Sequence, residues 1–270
     1  MIKNFPRHIV DPSVLVDSKN FMVKIAENHE EIERAQRLRY EVFNLEQGRG
    51  LKNAEKYGID FDEFDEYCLH LLTIDKRSDE VIGTYRAHLG CIANSAKGFY
   101  SSKEYEIHGL YKIADKCLEL GRTCVSPKHR SGAIIALLWG GITELLMRAD
   151  LRYMLGCASL EETDPLIGWS IYEYFLRKNL ICKDYSVIPR PGFKFKKPPE
   201  KDIAQLIANE SLINDNIPPL LKGYLRLGGM ICGEPAFDKD FGTIDFFILV
   251  DIETVPDRYK EHFNYKKIGK

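Results

Sequence analysis

The spacing of apolar residues changes several times along this chain, and each change predicts an element. Phe21–Ile25 is a short apolar run that predicts a strand. Asn28 followed by Glu31 has the N-cap and N3 pattern of a helix start. Ile32, Ala35, Leu38, Val42 and Phe43 then recur at helical spacing. That period is lost between Glu46 and Glu66, which reads as a loop. Cys68–Ile74 and Val81–Leu89 predict two strands, joined as a hairpin by the polar turn Asp75–Glu80. Leu118–Val125 predicts a further strand, after which Pro127 and Gly132 punctuate the step into a long apolar helix, Ala133–Met147. Tyr153–Ser159 reads as a strand, and Asp164-Pro165 starts a helix that runs to about Lys178. Prolines and lysines interrupt the pattern over 183–201; a helix near Pro219–Leu227 and strands at Met230–Ala236 and Thr243–Ile252 close it. Strands and helices mixed in this way around one sheet imply an α/β (α+β) fold.

Length agrees with one elaborated domain. The chain has 270 residues, at roughly 150 residues per domain as a starting expectation, and no clean linker divides it. We expect an N-terminal extension (1–20), a single domain (21–256) with a Pro/Lys-rich insertion near 183–218, and a basic C-terminal tail (257–270). Charge changes the picture more. The totals nearly cancel, 38 Lys+Arg against 40 Asp+Glu, which excludes a surface built throughout for nucleic acid. Locally they do not cancel: 41–66 holds eight acidic and three basic residues, and 183–201 holds six basic and two acidic. Seven cysteines, an odd number with no C-x-x-C pair, argue against a secreted disulfide scaffold. The first twelve residues lack the apolar segment of an export signal. The longest low-charge run, Gly132–Thr143, is shorter than the roughly 20 residues that span a bilayer. A cytoplasmic location is expected.

Chemistry concentrates in LELGRTCVSPKHRSGAIIALLW. A strand that enters a basic, Gly-containing turn and then a helix presents backbone N–H groups at the helix start. With Lys128, His129, Arg130, Ser131 and Gly132 it forms a candidate phosphate site. The lysine-threonine ending of a P-loop is absent, so nucleotide hydrolysis is not supported.

ELGRTCVSPKHR, LLWGGI, YMLGCASL and PPLLKGYLRLGGMICGEPAFDKDFGTIDFFILVDI resemble the bacterial ornithine-lipid N-acyltransferases, a hemolysin-like family of the GNAT acyltransferase superfamily. RYEVF (Arg39–Phe43), FDEFDEYCLHLL (Phe61–Leu72) and VIGTYRAHL (Val81–Leu89) agree, so the resemblance covers roughly Phe21 to Glu253. It implies a GNAT-like, mainly antiparallel central sheet flanked by helices. It also implies transfer of a (3-hydroxy)fatty acyl group from acyl carrier protein to the α-amine of ornithine. The alternatives are glycine or another acceptor, an acyl-homoserine-lactone-type product, or a non-catalytic lipid- or carrier-binding protein on the same scaffold.

Amide formation from a thioester needs an unprotonated amine, a polarised carbonyl and a proton for the leaving thiol. Glu119, on a strand expected at the sheet centre, is the candidate base, against the plainer reading of an ion pair with Arg122. Strict alternation separates the two by face; a bulge at Gly121, which the resemblance favours, brings them together. Arg39, Phe43, Asp62, Asp65 and Arg86 match by spacing the acidic, basic and aromatic positions of acyl-homoserine-lactone synthases, and read as acceptor-binding or site-shaping residues. For Arg39, Asp62 and Asp65 the plainer reading is ion-pair tethering of helix to loop. The acidic run 41–66 can attract a cationic amino acid. His70 reads as a satisfied core histidine, His129 as a surface residue, and Cys124 and Cys157 as space-filling thiols rather than nucleophiles. No spacing suggests zinc.

The donor reading rests on a departure from the acetyl-coenzyme A loop. His129-Arg-Ser-Gly132-Ala-Ile134 places Ile where that loop has a small residue, and crowding there favours the single phosphodiester of a carrier-protein phosphopantetheine. No bound cofactor is expected. Lys128, Arg130 and the 183–201 segment offer landing surfaces for an acidic carrier protein, or contacts to anionic headgroups at the inner membrane.

Overall fold

The computed structural model describes residues 5–262. Its strands are β1 (Val14–Asp17), β2 (Phe21–Ile25), β3 (Leu69–Asp75), β4 (Glu80–Leu89), β5 (Tyr105–His108), β6 (Cys117–Val125), β7 (Tyr153–Leu160), β8 (Ser186–Pro189), β9 (Met230–Ile231), β10 (Ala236–Asp238) and β11 (Thr243–Asp251). The described residues divide into two compact units, one formed by 5–97, 116–152 and 257–262, the other by 98–115 and 153–256.

In the first unit β1, β2, β3, β4 and β6 pair antiparallel in that order. The strand Val14–Asp17 falls in the segment set apart by sequence as an extension, but it is an integral member of this ladder. The expected hairpin is β3–β4. Two long helices cover opposite faces. The helix His29–Arg39 begins at Asn28, whose side chain accepts from the Glu31 N–H, while the Glu31 carboxylate reaches back to accept from the Glu27 N–H at 2.7 Å. Its Ile32 and Ala35 pack with Leu72 and Ile74. The helix Gly132–Arg148 lies on the other face, where Gly141 meets β2: a Cβ there would sit 2.6 Å from Val23 Cγ1. Glycine at that position permits the close approach. No helix among the described residues is long and apolar enough to cross a membrane.

The second unit is built on an antiparallel β7–β11–β10 ladder with β9 added to β11, and on the separate pair β5–β8. Its helix Pro165–Arg177 is capped by Asp164, as the sequence predicts. Gly168 seats this helix against Ile244, and Phe175 meets Phe246 edge to face. The irregular stretch after residue 183 contains β8, and the helices Glu200–Ile207 and Glu210–Asn216 follow it. Trp169, Ile203 and Ile207 form the buried cluster beneath the first of these helices. The fold is the expected α/β architecture, with mainly antiparallel pairing and flanking helices. The expected basic tail lies outside the described residues from 263 onward.

Candidate active site

One face of the first unit's sheet carries polar residues where apolar ones would be the rule. Register places His70 opposite Arg86 and His88 opposite Glu119, so strand alternation brings all four to the face covered by the helix His29–Arg39. All four are buried. Burying so much polarity is tolerable only with partners, and segment 60–65 supplies them. Arg39 bonds through Nε to Asp60 Oδ1 at 2.9 Å and grips both Asp65 oxygens at 2.9 and 2.8 Å. Arg86 reaches Asp62 Oδ1 at 2.6 Å and Asp65 Oδ1 at 3.2 Å. Arg122 closes on both oxygens of Asp60, and its guanidinium lies 4.9 Å over the Phe43 ring. Three arginines therefore meet three aspartates in a charge-balanced buried network. Burial alone would raise the pKa of Asp65, but the Arg39 charge and hydrogen bonds outweigh it and hold the carboxyl well below the usual range. His70 Nε2 lies 3.1 Å from the Asp65 carbonyl, and burial pushes its pKa down to about 4, which leaves a neutral core histidine as the sequence suggests.

The bulge is present, one residue beyond the expected position. Register slips between Thr84 and Arg86, so Arg122 and Thr123 together oppose Tyr85, and Arg122 itself takes the left-handed conformation with φ +49°. A residue with a side chain there is strained; bidentate contact with Asp60 and the Phe43 ring hold it. Glu119 remains three residues earlier in regular strand, with its Oε2 3.5 Å from His88 Nδ1. The Phe64 ring packs edge-on against His88 with centroids 6.2 Å apart. This buried carboxylate–imidazole pair is the candidate acid–base group of the site.

The predicted donor turn folds as a single 3₁₀ turn, Pro127–His129, before the long helix. Ser131 occupies the N-cap position without capping through its side chain, and Gly132 faces open space. Arg130 is committed elsewhere: it makes a bidentate pair with Glu46 at 2.7 and 2.6 Å and also donates to the Val125 carbonyl. The crowding expected from Ile134 does not arise. That side chain is 2 % exposed, turned into the core, whereas Ile135 is 44 % exposed.

A family model described as an acetyltransferase (GNAT) domain matches residues 38–140. The L-ornithine N(alpha)-acyltransferase of Brucella abortus is 35% identical over 258 residues, covering 89% of this chain and 88% of the relative. The chain belongs to the L-ornithine N(alpha)-acyltransferase family. The enzyme of that name from Agrobacterium fabrum is 32% identical over 89% of this chain and 84% of its own. Among solved structures, FeeM, an N-acyl amino acid synthase from uncultured soil microbes, superposes with TM-score 0.50 at 10% identity, covering 87% of this chain and 94% of FeeM, a likeness of fold.

In this family member the acidic run 41–66 is divided: Glu41, Glu55 and Glu66 stay exposed, while its other acidic residues pair with basic side chains. Asp60, Asp62 and Asp65 are spent on arginines, Glu46 on Arg130, and Glu63 on Lys97. Three residues of the site escaped sequence reasoning: Asp60, Phe64 and His88. The period-two spacing of Arg86 and His88 was a usable signal for the last; nothing local distinguishes Asp60 from its acidic neighbours. The helix His29–Arg39 continues into a π-helical turn, Tyr40–Glu46, where a loop was expected from Glu46. That wider turn carries both Phe43 and Glu46 to their partners. Cys124 packs with Leu38 and Val42, and burial pushes its thiol up to about 12, which suits a space-filling residue.

Proposed function

We propose that this protein transfers a (3-hydroxy)fatty acyl group from an acyl carrier protein thioester to the α-amine of ornithine, forming lyso-ornithine lipid. The observation that carries this reading is the buried Glu119–His88 pair beside the β6 bulge, in a chain of this family. Glu119, directly or through water, takes a proton from the attacking amine. The nitrogen adds to the thioester carbonyl, and the tetrahedral intermediate collapses with loss of the phosphopantetheine thiolate, which regains a proton. No acyl-enzyme is needed. Arg122, anchored on Asp60, is a positioning residue that fixes the bulge. Arg39, Phe43, Asp62, Asp65 and Arg86 shape the wall in which Glu119 sits.

Backbone N–H groups at Ser131–Gly132, with Lys128 and His129, are suited to the single phosphodiester of the carrier's phosphopantetheine. Exposed lysines of the 183–201 segment supply a basic face for an acidic carrier protein. A working position against the inner face of a membrane, where the product belongs, is part of the same reading. Mass spectrometry of the reaction between the purified chain, 3-hydroxyacyl carrier protein and either ornithine or glycine tests it. An acyl-ornithine product is expected. Acyl-glycine alone would move the acceptor, and no transfer to any amine would favour a binding protein.

A further inference from the structure

Two thiols far apart in sequence, Cys182 and Cys232, meet inside the second unit. The segment after the helix Pro165–Arg177 runs parallel to β9, with Ile181 bridging Ile231. The Ile231 N–H donates to the Leu180 carbonyl and the Cys182 N–H to the Ile231 carbonyl, each at 2.8 Å. In that register Cys182 and Cys232 are the next facing pair. The two segments stay together beyond it: Gly233 takes φ +80°, and a Cβ there would collide with the Val187 carbonyl. Cys232 is buried, Cys182 is half-buried, and both are free thiols. A hydrogen bond joins their side chains, and backbone hydrogen bonds from Asp184 and Tyr185 also reach the Cys182 sulfur. The Cys232 hydrogen bond outweighs partial burial and lowers Cys182 to about 6; the same bond, then burial, push Cys232 up. Cys68 and Cys124, by contrast, are both raised by burial.

We propose that Cys182 and Cys232 form a peroxide-reactive dithiol, with Cys182 as the attacking thiolate and Cys232 as the resolving thiol. This modification site goes beyond acyl transfer and does not depend on it. The Cys182 thiolate attacks one peroxide oxygen; the O–O bond breaks, a sulfenic acid forms, and the departing hydroxide takes a proton from solvent as water. The Cys232 sulfur then attacks the Cys182 sulfur. The S–S bond forms, the S–O bond breaks, and the departing hydroxide takes the Cys232 proton as a second water. The dithiol gives up two electrons, which reduce one peroxide. Neighbouring strands lie about 4.8 Å apart, within the roughly 4.4–6.8 Å between Cα atoms that a disulfide spans. Little backbone movement is therefore needed. The bond closes a loop that contains the basic segment 183–201 and the helices Glu200–Ile207, Glu210–Asn216 and Pro219–Arg226. A thiol reductant reopens it by exchange.

The test treats the full, reduced chain with hydrogen peroxide at neutral pH and maps its peptides by mass spectrometry. The expected product is a Cys182–Cys232 linked peptide that dithiothreitol cleaves. In Cys232→Ala, peroxide should leave Cys182 as a sulfenic acid that dimedone traps. Alkylation of Cys182 in the untreated wild type should show a pH midpoint near 6, and that midpoint should rise in Cys232→Ala, which lacks the hydrogen-bond donor. The wild-type measurements need no substitution, so they stand even where the variant fails to fold. Persistence of both thiols under a peroxide exposure that oxidises the exposed Cys91 would overturn the proposal. So would a disulfide joining either cysteine to a different one, or a Cys182 midpoint in the ordinary thiol range.

Discussion

His88 Nδ1 stands 3.5 Å from Glu119 Oε2, cross-strand neighbours on β4 and β6, with both side chains almost wholly withdrawn from solvent. The pair lies three residues before a bulge whose left-handed residue, Arg122, is fixed by an aspartate sixty-two positions earlier in the chain. Catalytic candidate and scaffold thus share one strand, and substitutions should separate them.

Glu119→Gln preserves shape but removes the base. Acyl transfer to the amine should fall by about 10²–10⁴ in kcat, with little change in KM for the acyl donor. Steady-state kinetics over a pH series check this, with circular dichroism to verify folding. Near-wild-type turnover would move the base elsewhere.

Asp60→Ala leaves Arg39 and Arg122 without their shared partner in the interior. Breaking a buried ion pair from one side costs about 3–5 kcal/mol. Urea denaturation should show a loss of that order, and activity should fall even where the variant remains folded, because the bulge loses its anchor. A loss below about 1 kcal/mol would mean that the network is solvated.

His70 sets a pH dependence of known sign. Burial lowers its pKa from 6.5 to about 4, so the unfolded chain takes up a proton in that interval that the folded chain refuses. Its contribution therefore declines as pH falls from 6.5 towards 4. Asp245 acts oppositely: the folded carboxyl keeps its proton to about 6, the unfolded one only to about 3.8, and stability from this source is lost as pH rises through that window. The wild-type minus His70→Gln difference in unfolding free energy isolates the first effect and should drop between pH 6.5 and 4. A flat difference would show that His70 is accessible to protons in the folded state.

Charge reversal at Lys194 and Lys196, both exposed, should raise the apparent KM for acyl carrier protein several-fold at low salt and leave kcat nearly unchanged. Lys197 is partly engaged, 3.6 Å from Glu173 and over the Trp169 ring, and its reversal should cost some stability as well. An unchanged KM at low ionic strength would remove this segment from the docking surface.

The elements were largely legible in the sequence because their signals are local. The Asn28 and Asp164 caps, the β3–β4 hairpin and the apolar period of 132–148 each involve residues within a few positions of one another. What failed was also local in cause. The π turn at 40–46 has an ordinary helical pattern, and the helices Glu200–Ile207 and Glu210–Asn216 follow a proline-rich stretch that masks their start.

For the site, the sequence alone makes the residue types visible: Glu119 and Arg122 on one strand, and a supply of arginines and aspartates around it. How they are used depends on the folded chain. Asp60 and Arg122 become partners only when the segment before β3 folds over β6; the same closure pairs Asp60, Asp62 and Asp65 with Arg39, Arg86 and Arg122 in a charge-balanced scaffold. Folding likewise brings Cys182 beside Cys232 in the second unit. Caps, periods and turns act over a few residues, whereas desolvation and pairing of charge depend on which distant segments exclude water together.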